Sequence, residues 1–442
     1  MNLKENAQYA LQAALKAGAQ QVRVVASEDL SDSFSVRDHL LEKIYQAGES
    51  SLFFHLFVDG RYGTCSTNRT DPASVEKLVQ DTIASTRLLA PDPDRMLAPA
   101  ARCYKASAAD PDLQGYDATL EHLAPESKKD LTHACAAQAY GKSPDVISVT
   151  AEYADSLSKT YLLDSQGLDC SASNTFFSVS AECTVQGKKG TRPSDWGCLG
   201  GITYRSLLPQ GATLGAGEEA LQRALAKRNP GKARSGRYTM VLENRVASQL
   251  VGPLIQAISG PSLQQRNSFL LDKIGTSIAN SALTLVDNPF LAGATGARLF
   301  DNEGLATRPR TLIDKGVLTT YFLSTYHARK MQLEPTVDGP SVLQLTGGRG
   351  NAASLMAPLK KGIFVTGFNG GNCNSATGDF SYGIEGFLIR DGAFVKPISE
   401  MVVSGNMLDL WQHYAGAADD ALSYAAWRIP SLLFDDIAFA GL

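Results

Sequence analysis

No apolar run in this 442-residue chain approaches the ~20 residues that a membrane-crossing helix needs, so no membrane span is expected. The opening stretch, MNLKENAQYALQAALKAGA, has no charged segment followed by an apolar one, so no signal peptide is expected. Seven cysteines stand singly at 65, 103, 135, 170, 183, 198 and 373. Their odd number and the absence of any CxxC pair exclude a disulfide framework and point to a reduced, cytoplasmic compartment. Outside a secretory setting, the sequon Asn68-Arg69-Thr70 carries no meaning. Charge of one sign is also lacking: 41 Lys and Arg against 45 Asp and Glu leave a net −4. That balance gives no footprint for direct nucleic-acid or anionic-membrane binding. The six histidines, at 39, 55, 122, 133, 327 and 413, form no i,i+4 pair and no Cys/His cluster. Gly347-Gly348-Arg349-Gly350 lacks the GK[ST] ending of a phosphate loop and reads as a flexible loop; no GxSxG elbow occurs.

What is present is the composition of a globular protein, 44% hydrophobic and 19% charged, in a chain too long for one ordinary core. Two domains are expected. Residues 5–17 carry Ala7, Leu11 and Leu15 on one helical face. Strand-like segments follow at 21–27, 32–37, 43–46 and 52–58, with a hairpin signal at Asp59-Gly60. Asp71 and Pro72 open a helix expected to reach about Leu89, and 90–117 reads as irregular. A helix at 127–140, strands at 146–153, 159–164 and 176–185, and a helix at 218–227 complete the first half. The basic, turn-rich stretch 228–237 reads as a solvated linker; six basic residues lie between Arg223 and Arg237 with no aromatics interleaved. The second half opens with a strand at 238–242 that runs straight into a helix, and is then rich in strands and glycine, with a second hairpin signal at Asp391-Gly392. The fold class expected is α+β, an N-terminal α/β domain over 1–235 and a β-rich C-terminal domain over 236–442.

The segment VLENRVASQLVGPLIQAISGP, 241–261, places Leu242, Val246, Leu250, Leu254 and Ile258 on one stripe of a helix, with Gly252-Pro253 as a kink and Gly260-Pro261 as a stop. This segment resembles the C-terminal domain of the TldD/PmbA (TldE) family, also known as modulators of DNA gyrase. NSFLLDKIGTSI, ARLFDNEGLATRPRTLIDKGVLTTYFLSTYHARKM, TGDFSYGIEGFLIRDG and PISEMVVSGNMLDLW resemble its PmbA/TldE branch, as do SLFFHLFVDGRYGTCSTN and LLDSQGLDCSASNTFFSVS in the first half. Catalytic TldD chains carry HExxxH at this helix, two zinc-binding histidines with a glutamate base between them. The resemblance places Glu243 at the first histidine, Asn244 at the base, Ser248 at the second histidine, and Gly383 at the family's cysteine ligand. Zinc takes nitrogen, sulfur or carboxylate ligands, usually three from the protein at a catalytic site. Only Glu243 among these could contribute.

The resemblance therefore implies a non-catalytic subunit without a cofactor of its own. Zinc is expected in a TldD-like metallopeptidase partner, and unfolded peptide is the expected substrate of the pair. In isolation a homodimer is expected as an alternative assembly. Gly370, Gly371, Asn372 and Cys373, in the loop GFNGGNCNSATGDF, are candidates for a peptide cleft, where glycines permit close backbone approach. Two other functions stand beside this one: a hydrolase using Cys373 as nucleophile, which needs a nearby base, and a regulatory module binding gyrase.

Overall fold

The computed structural model describes residues 2–209 and 214–441. The first half is one all-antiparallel sheet of β1 (Gln21–Arg37), β2 (Leu40–Val58), β3 (Arg61–Thr67), β4 (Val146–Asp164), β5 (Asp169–Val185) and β6 (Ser194–Gly201), in the order β3-β2-β1-β4-β5-β6. Its strands are longer than their sequence signals. The four segments expected between 21 and 58 are two strands that pair without a break from Gln21↔Phe57 to Arg37↔Leu40, with one bulge at Ser35/Val36. The stretch Glu28–Ser31 between two of these segments carries no strand signal of its own, yet the ladder to both neighbouring strands continues through it. The hairpin at Asp59-Gly60 forms as expected, both residues at positive φ of 50° and 72°.

Four helices, α1 (Leu3–Lys16), α2 (Pro72–Thr86), α3 (Pro125–Ala137) and α4 (Ala216–Ala226), cover this sheet. Asp71 caps α2 through the Ser74 N–H, with Pro72 in its first turn. On β1, Val22, Val24 and Ala26 meet α1 and α2, whereas Phe34, of the same parity, belongs to the core under α3 and α4. Alternate residues of one strand thus serve two successive helix pairs. The buried stripe of α1 is Ala7, Ala10 and Ala14, not the expected Leu11 and Leu15, which are half-buried at its border. Small residues let the helix lie close on the strands.

The second half holds two further sheets. One has the order β14-β13-β12-β7-β17-β15 and comprises β7 (Gly236–Leu242), β12 (Lys361–Cys373), β13 (Asp379–Arg390), β14 (Ala393–Asn406), β15 (Tyr414–Ala417) and β17 (Leu432–Gly441). An additional pairing of β14 with β17, from Met401↔Gly441 to Val403↔Phe439, joins the sheet on itself as a barrel. The other sheet is small: β10 (Val317–Leu318), β9 (Arg310–Asp314), β8 (Leu285–Asp287), β11 (Leu343–Leu345) and β16 (Trp427–Arg428). Between them lies α5 (Asn244–Ala257), followed by α6 (Gly260–Gln264), α7 (Thr325–Lys330), α8 (Ala352–Met356) and α9 (Met407–Gln412).

The stripe Leu242, Val246, Leu250, Leu254 and Ile258 is buried in the main core of this half. The strand expected at 238–242 is β7, so Val241 and Leu242 are strand residues and the helix proper starts at Asn244. It ends at Ala257, just before the stop signal Gly260-Pro261, which itself opens α6 with Pro261 in the first turn, where its missing N–H costs nothing. Strand and helix contents together make the molecule α+β, as expected.

Candidate functional site

The N-terminus of α5 is where β7, α4, β6 and β13 converge. Glu243 is its N-cap residue, in extended conformation, but its carboxylate does not cap the helix. It turns instead to Arg223 of α4, which donates from Nη1 to Oε1 at 2.6 Å and from Nη2 to Oε2 at 2.7 Å. This is a parallel two-bond pair, the strongest geometry open to these groups. The Arg223 Nε donates to Asp195 on β6 at 3.2 Å. Lys227, one turn beyond Arg223, reaches Asp195 at 3.1 Å and Glu385 of β13 at 2.5 Å. Arg245 donates to Glu219 at 3.2 Å and to the Trp196 carbonyl at 2.7 Å, with its guanidinium 3.4 Å from the indole centroid.

Seven charged side chains from α4, β6, β13 and the start of α5 thus form one network. Burial alone would raise the Asp195 carboxyl, but Arg223, Lys227, the Trp196 N–H and Arg245 outweigh it and hold Asp195 below its usual range. Burial wins at Glu219, which is raised despite Arg245. Arg223 is held above its usual value: burial opposes its charge, and the Glu243 carboxylate more than compensates.

The positions that the resemblance assigns to a metal are occupied as follows. Glu243 has both oxygens committed to Arg223. The Asn244 side chain donates to the Asp420 carbonyl, and its backbone N–H donates to Ser431 Oγ at 3.1 Å, fastening the helix start to the C-terminal segment. Ser248 lies half-buried one turn along α5. Gly383 lies on β13 two residues before Glu385, opposite Val402 of β14. A Cβ at 383 would stand 2.6 Å from the Asn369 carbonyl oxygen, so the backbone is shaped for a residue without a side chain. These residues do not fit a zinc ion. Among the described residues, no group of three or more His, Cys, Asp or Glu is placed to hold a metal.

Beside this network is a cleft of about 330 Å³, lined among others by Trp196, Lys227, Arg245, Gln249, Asn369 and Glu385. One wall is a strand edge. Strand β12 pairs with β7 only over Gly362–Val365, because the chain of β7 turns at Glu243 into α5, with the Glu243 N–H donating to the Val365 carbonyl. From Thr366 to Asn369, β12 faces the cleft, and on its other side Gly367 and Phe368 stay in register with Glu385 and Ile384 of β13 while Thr366 and Asn369 lie in bulges.

Gly370, Gly371, Asn372 and Cys373 are not a free loop. They form the bulged end of β12, with Gly371↔Tyr382, Asn372↔Ser381 and Cys373↔Phe380 in register, and lie beyond the cleft wall. Gly370 and Gly371 have φ of 73° and 92°, and a Cβ on Gly371 would meet the Ser381 carbonyl oxygen at 1.9 Å. Cys373 packs against the core, and its thiol donates to the Asn374 carbonyl. Burial, followed by Asp379, pushes the thiol above its usual range, opposite to what a nucleophile requires.

Sequence reasoning missed Arg223, Lys227, Asp195, Trp196, Arg245 and Glu385. The basic run from Arg223 to Arg237 is only partly solvated. Arg223 and Lys227 are mostly buried, and Arg228, Lys232 and Arg237 pair with Asp145, Glu400 and Asp436. The available signal was the four-residue spacing of Arg223 and Lys227, which places both on one face of a helix. Their partners come from distant segments and leave no local trace.

Three family models match successive segments: PmbA/TldA metallopeptidase domain 1 over residues 22–86, the central domain over 118–228, and the C-terminal domain over 235–441. Metalloprotease PmbA of Escherichia coli O157:H7 is 26% identical over 95% of this chain and 92% of its own length. A PmbA homologue of Haemophilus influenzae is 24% identical over 99% and 96%. Among solved structures, a Bacteroides thetaiotaomicron protein provisionally named a modulator of DNA gyrase is 44% identical, with a TM-score of 0.96 over 99% of both chains. TldE of Thermococcus kodakarensis, 18% identical, shares the fold, with a TM-score of 0.86 over 99% of this chain and 100% of its own. The chain belongs to the PmbA/TldD metallopeptidase family.

Proposed function

We propose that this chain is the metal-free subunit of a two-chain peptidase, paired with a zinc-bearing TldD-like chain and handling extended, unfolded peptides. The observation that carries the reading is the state of the helix start. The carboxylate at the first ligand position is neutralised by Arg223 in a two-bond pair, and the remaining positions hold an amide, a hydroxyl and a glycine. The scaffold is retained while the donors are not. The neighbouring strand edge suits the same role. Thr366–Asn369 offer backbone groups to a peptide that adds as a further strand, a mode that gives affinity with little sequence preference. In this reading the cleft side chains, with Trp196 and Phe368 as apolar surfaces and Gln249 and Asn369 as polar ones, orient the peptide toward the partner's metal.

Two alternatives have less support. A Cys373 hydrolase lacks an activated thiol. For a DNA-directed role, basic residues 223–237 are largely paired with carboxylates. The test is co-expression with a TldD-like chain from the same source. The two are expected to co-purify and to cleave an unfolded peptide only together; separate elution with no joint cleavage overturns the reading.

A further inference from the structure

We infer that a groove between the two halves, along the start of β5, is a second binding site of this chain that takes a single extended peptide segment as an added strand. The inference goes beyond the peptidase reading and uses neither the α5 cleft, nor a metal, nor a partner chain.

Strand β6 covers the outer edge of β5 only over Phe177–Thr184, and at Gly201 the chain leaves that lane. Before Phe177 the lane is used once, where the Thr175 N–H donates to the Gly115 carbonyl at 2.9 Å. From Asp169 to Thr184, β5 pairs with β4 without a register shift, so the backbone groups of alternate residues point the same way. Because the Thr175 N–H points outward, the N–H and C=O of Ser171 and Ser173 do so too. Among the described residues, these four groups have no hydrogen-bond partner on that side. Unpaired groups along a strand edge are a template for a further strand.

This stretch of edge is one wall of a groove of about 520 Å³, whose other walls are residues 111–116 and 297–300. The Gly293 N–H donates to the Leu113 carbonyl at 2.8 Å and ties those two walls together. The walls select the occupant. The edge of a folded sheet brings its own neighbouring strand and does not fit between them, whereas one extended segment does. Its backbone bonds Ser171 and Ser173, and every second side chain lies against the half-buried Leu113, Leu299 and Phe300. Ser171–Asn174 span about 14 Å at ~3.4 Å per residue, so about four ligand residues pair. The charged residues of the lining are Asp112 and Arg298, of opposite sign, so the groove asks for no net charge. The ligand class is an unfolded segment with apolar residues at alternate positions.

Photo-crosslinking of the full chain to an amidated Thr-Val-Thr-Xaa-Thr-Val peptide, with Xaa a photoreactive benzoyl-phenylalanine, tests this when adduct sites are mapped by mass spectrometry. Adducts are expected within 111–116 or 297–300. Ser173→Pro removes an outward N–H while leaving the bonds to β4, and is expected to lower groove adducts at least tenfold; Ser173→Ala keeps the backbone and stays within about twofold. A peptide N-methylated at every residue has no backbone donors and is expected to leave the groove of the wild-type chain unlabelled, an arm that holds whether or not S173P folds. No groove adducts, equal loss in S173A and S173P, or undiminished labelling by the N-methylated peptide would each overturn the proposal. Adducts confined to Thr366–Asn369 overturn it and leave the peptidase reading standing; loss of adducts there, with those in the groove retained, counts against that reading alone.

Discussion

Arg223 and Glu243 hold each other in a mostly buried setting, so removing one leaves the other's charge unpaired away from water. Truncating Arg223 to alanine is expected to cost about 3 kcal/mol, read as a lower denaturation midpoint in urea. Replacing Arg223 and Glu243 together by apolar residues of similar size is expected to cost less than either single change. Asp195 adds a pH dependence. Its folded pKa lies below the unfolded value, so its contribution is present above about pH 4 and is lost as pH falls through the folded pKa. His55, enclosed by Arg23, Tyr62 and Phe53, works at higher pH. Burial first, then Arg23 and Arg95, lowers its pKa to about 3. The unfolded chain takes up this proton below pH ~6.5 while the folded chain does not, so stability falls with pH from there down to about 3. Between pH 6.5 and 5 the loss from His55 is at most about 2 kcal/mol, and His55→Gln is expected to flatten that slope in urea titrations at both pH values.

At the scale of elements, β12 and β13 depend on the absence of side chains. Gly371→Ala drives a Cβ into the Ser381 carbonyl at positive φ, and Gly383→Cys drives one toward the Asn369 carbonyl. Each is expected to lower stability by about 1–3 kcal/mol in chemical denaturation. Restoring a cysteine at 383 therefore does not restore a ligand in place. Much of the element order was legible in the sequence, because turn chemistry is local. Asp59-Gly60, Asp391-Gly392 and the Asp71-Pro72 helix start all read correctly. Strand lengths were not legible, since Glu28–Ser31 and Asp155–Ser158 are mostly polar and are strands only because neighbours pair with them. The α5 stripe was legible from its period. The ion-pair network was not, because its members lie on α4, β6, α5 and β13, and pairing across such distances has no periodicity to read.

At the scale of the whole molecule, the two halves are tied at several points. Lys330 reaches both Asp92 and Asp94 at 3.1 Å, Arg102 reaches Glu334 at 2.8 Å, and backbone bonds join Tyr104 to Gly304 and Ala306 to Arg102. The Arg223–Glu243 and Lys227–Glu385 pairs do the same beside the cleft. The helix start is thus fixed from both halves, and on the reading proposed above it serves as a scaffold without metal donors. Zinc content measured by mass spectrometry, on the isolated chain and on its complex with a TldD-like chain, tests this most directly. The account predicts no stoichiometric zinc on the isolated chain and about one ion per pair in the complex, with peptide cleavage only in the latter. One zinc per isolated chain, accompanied by chelator-sensitive cleavage, would contradict it.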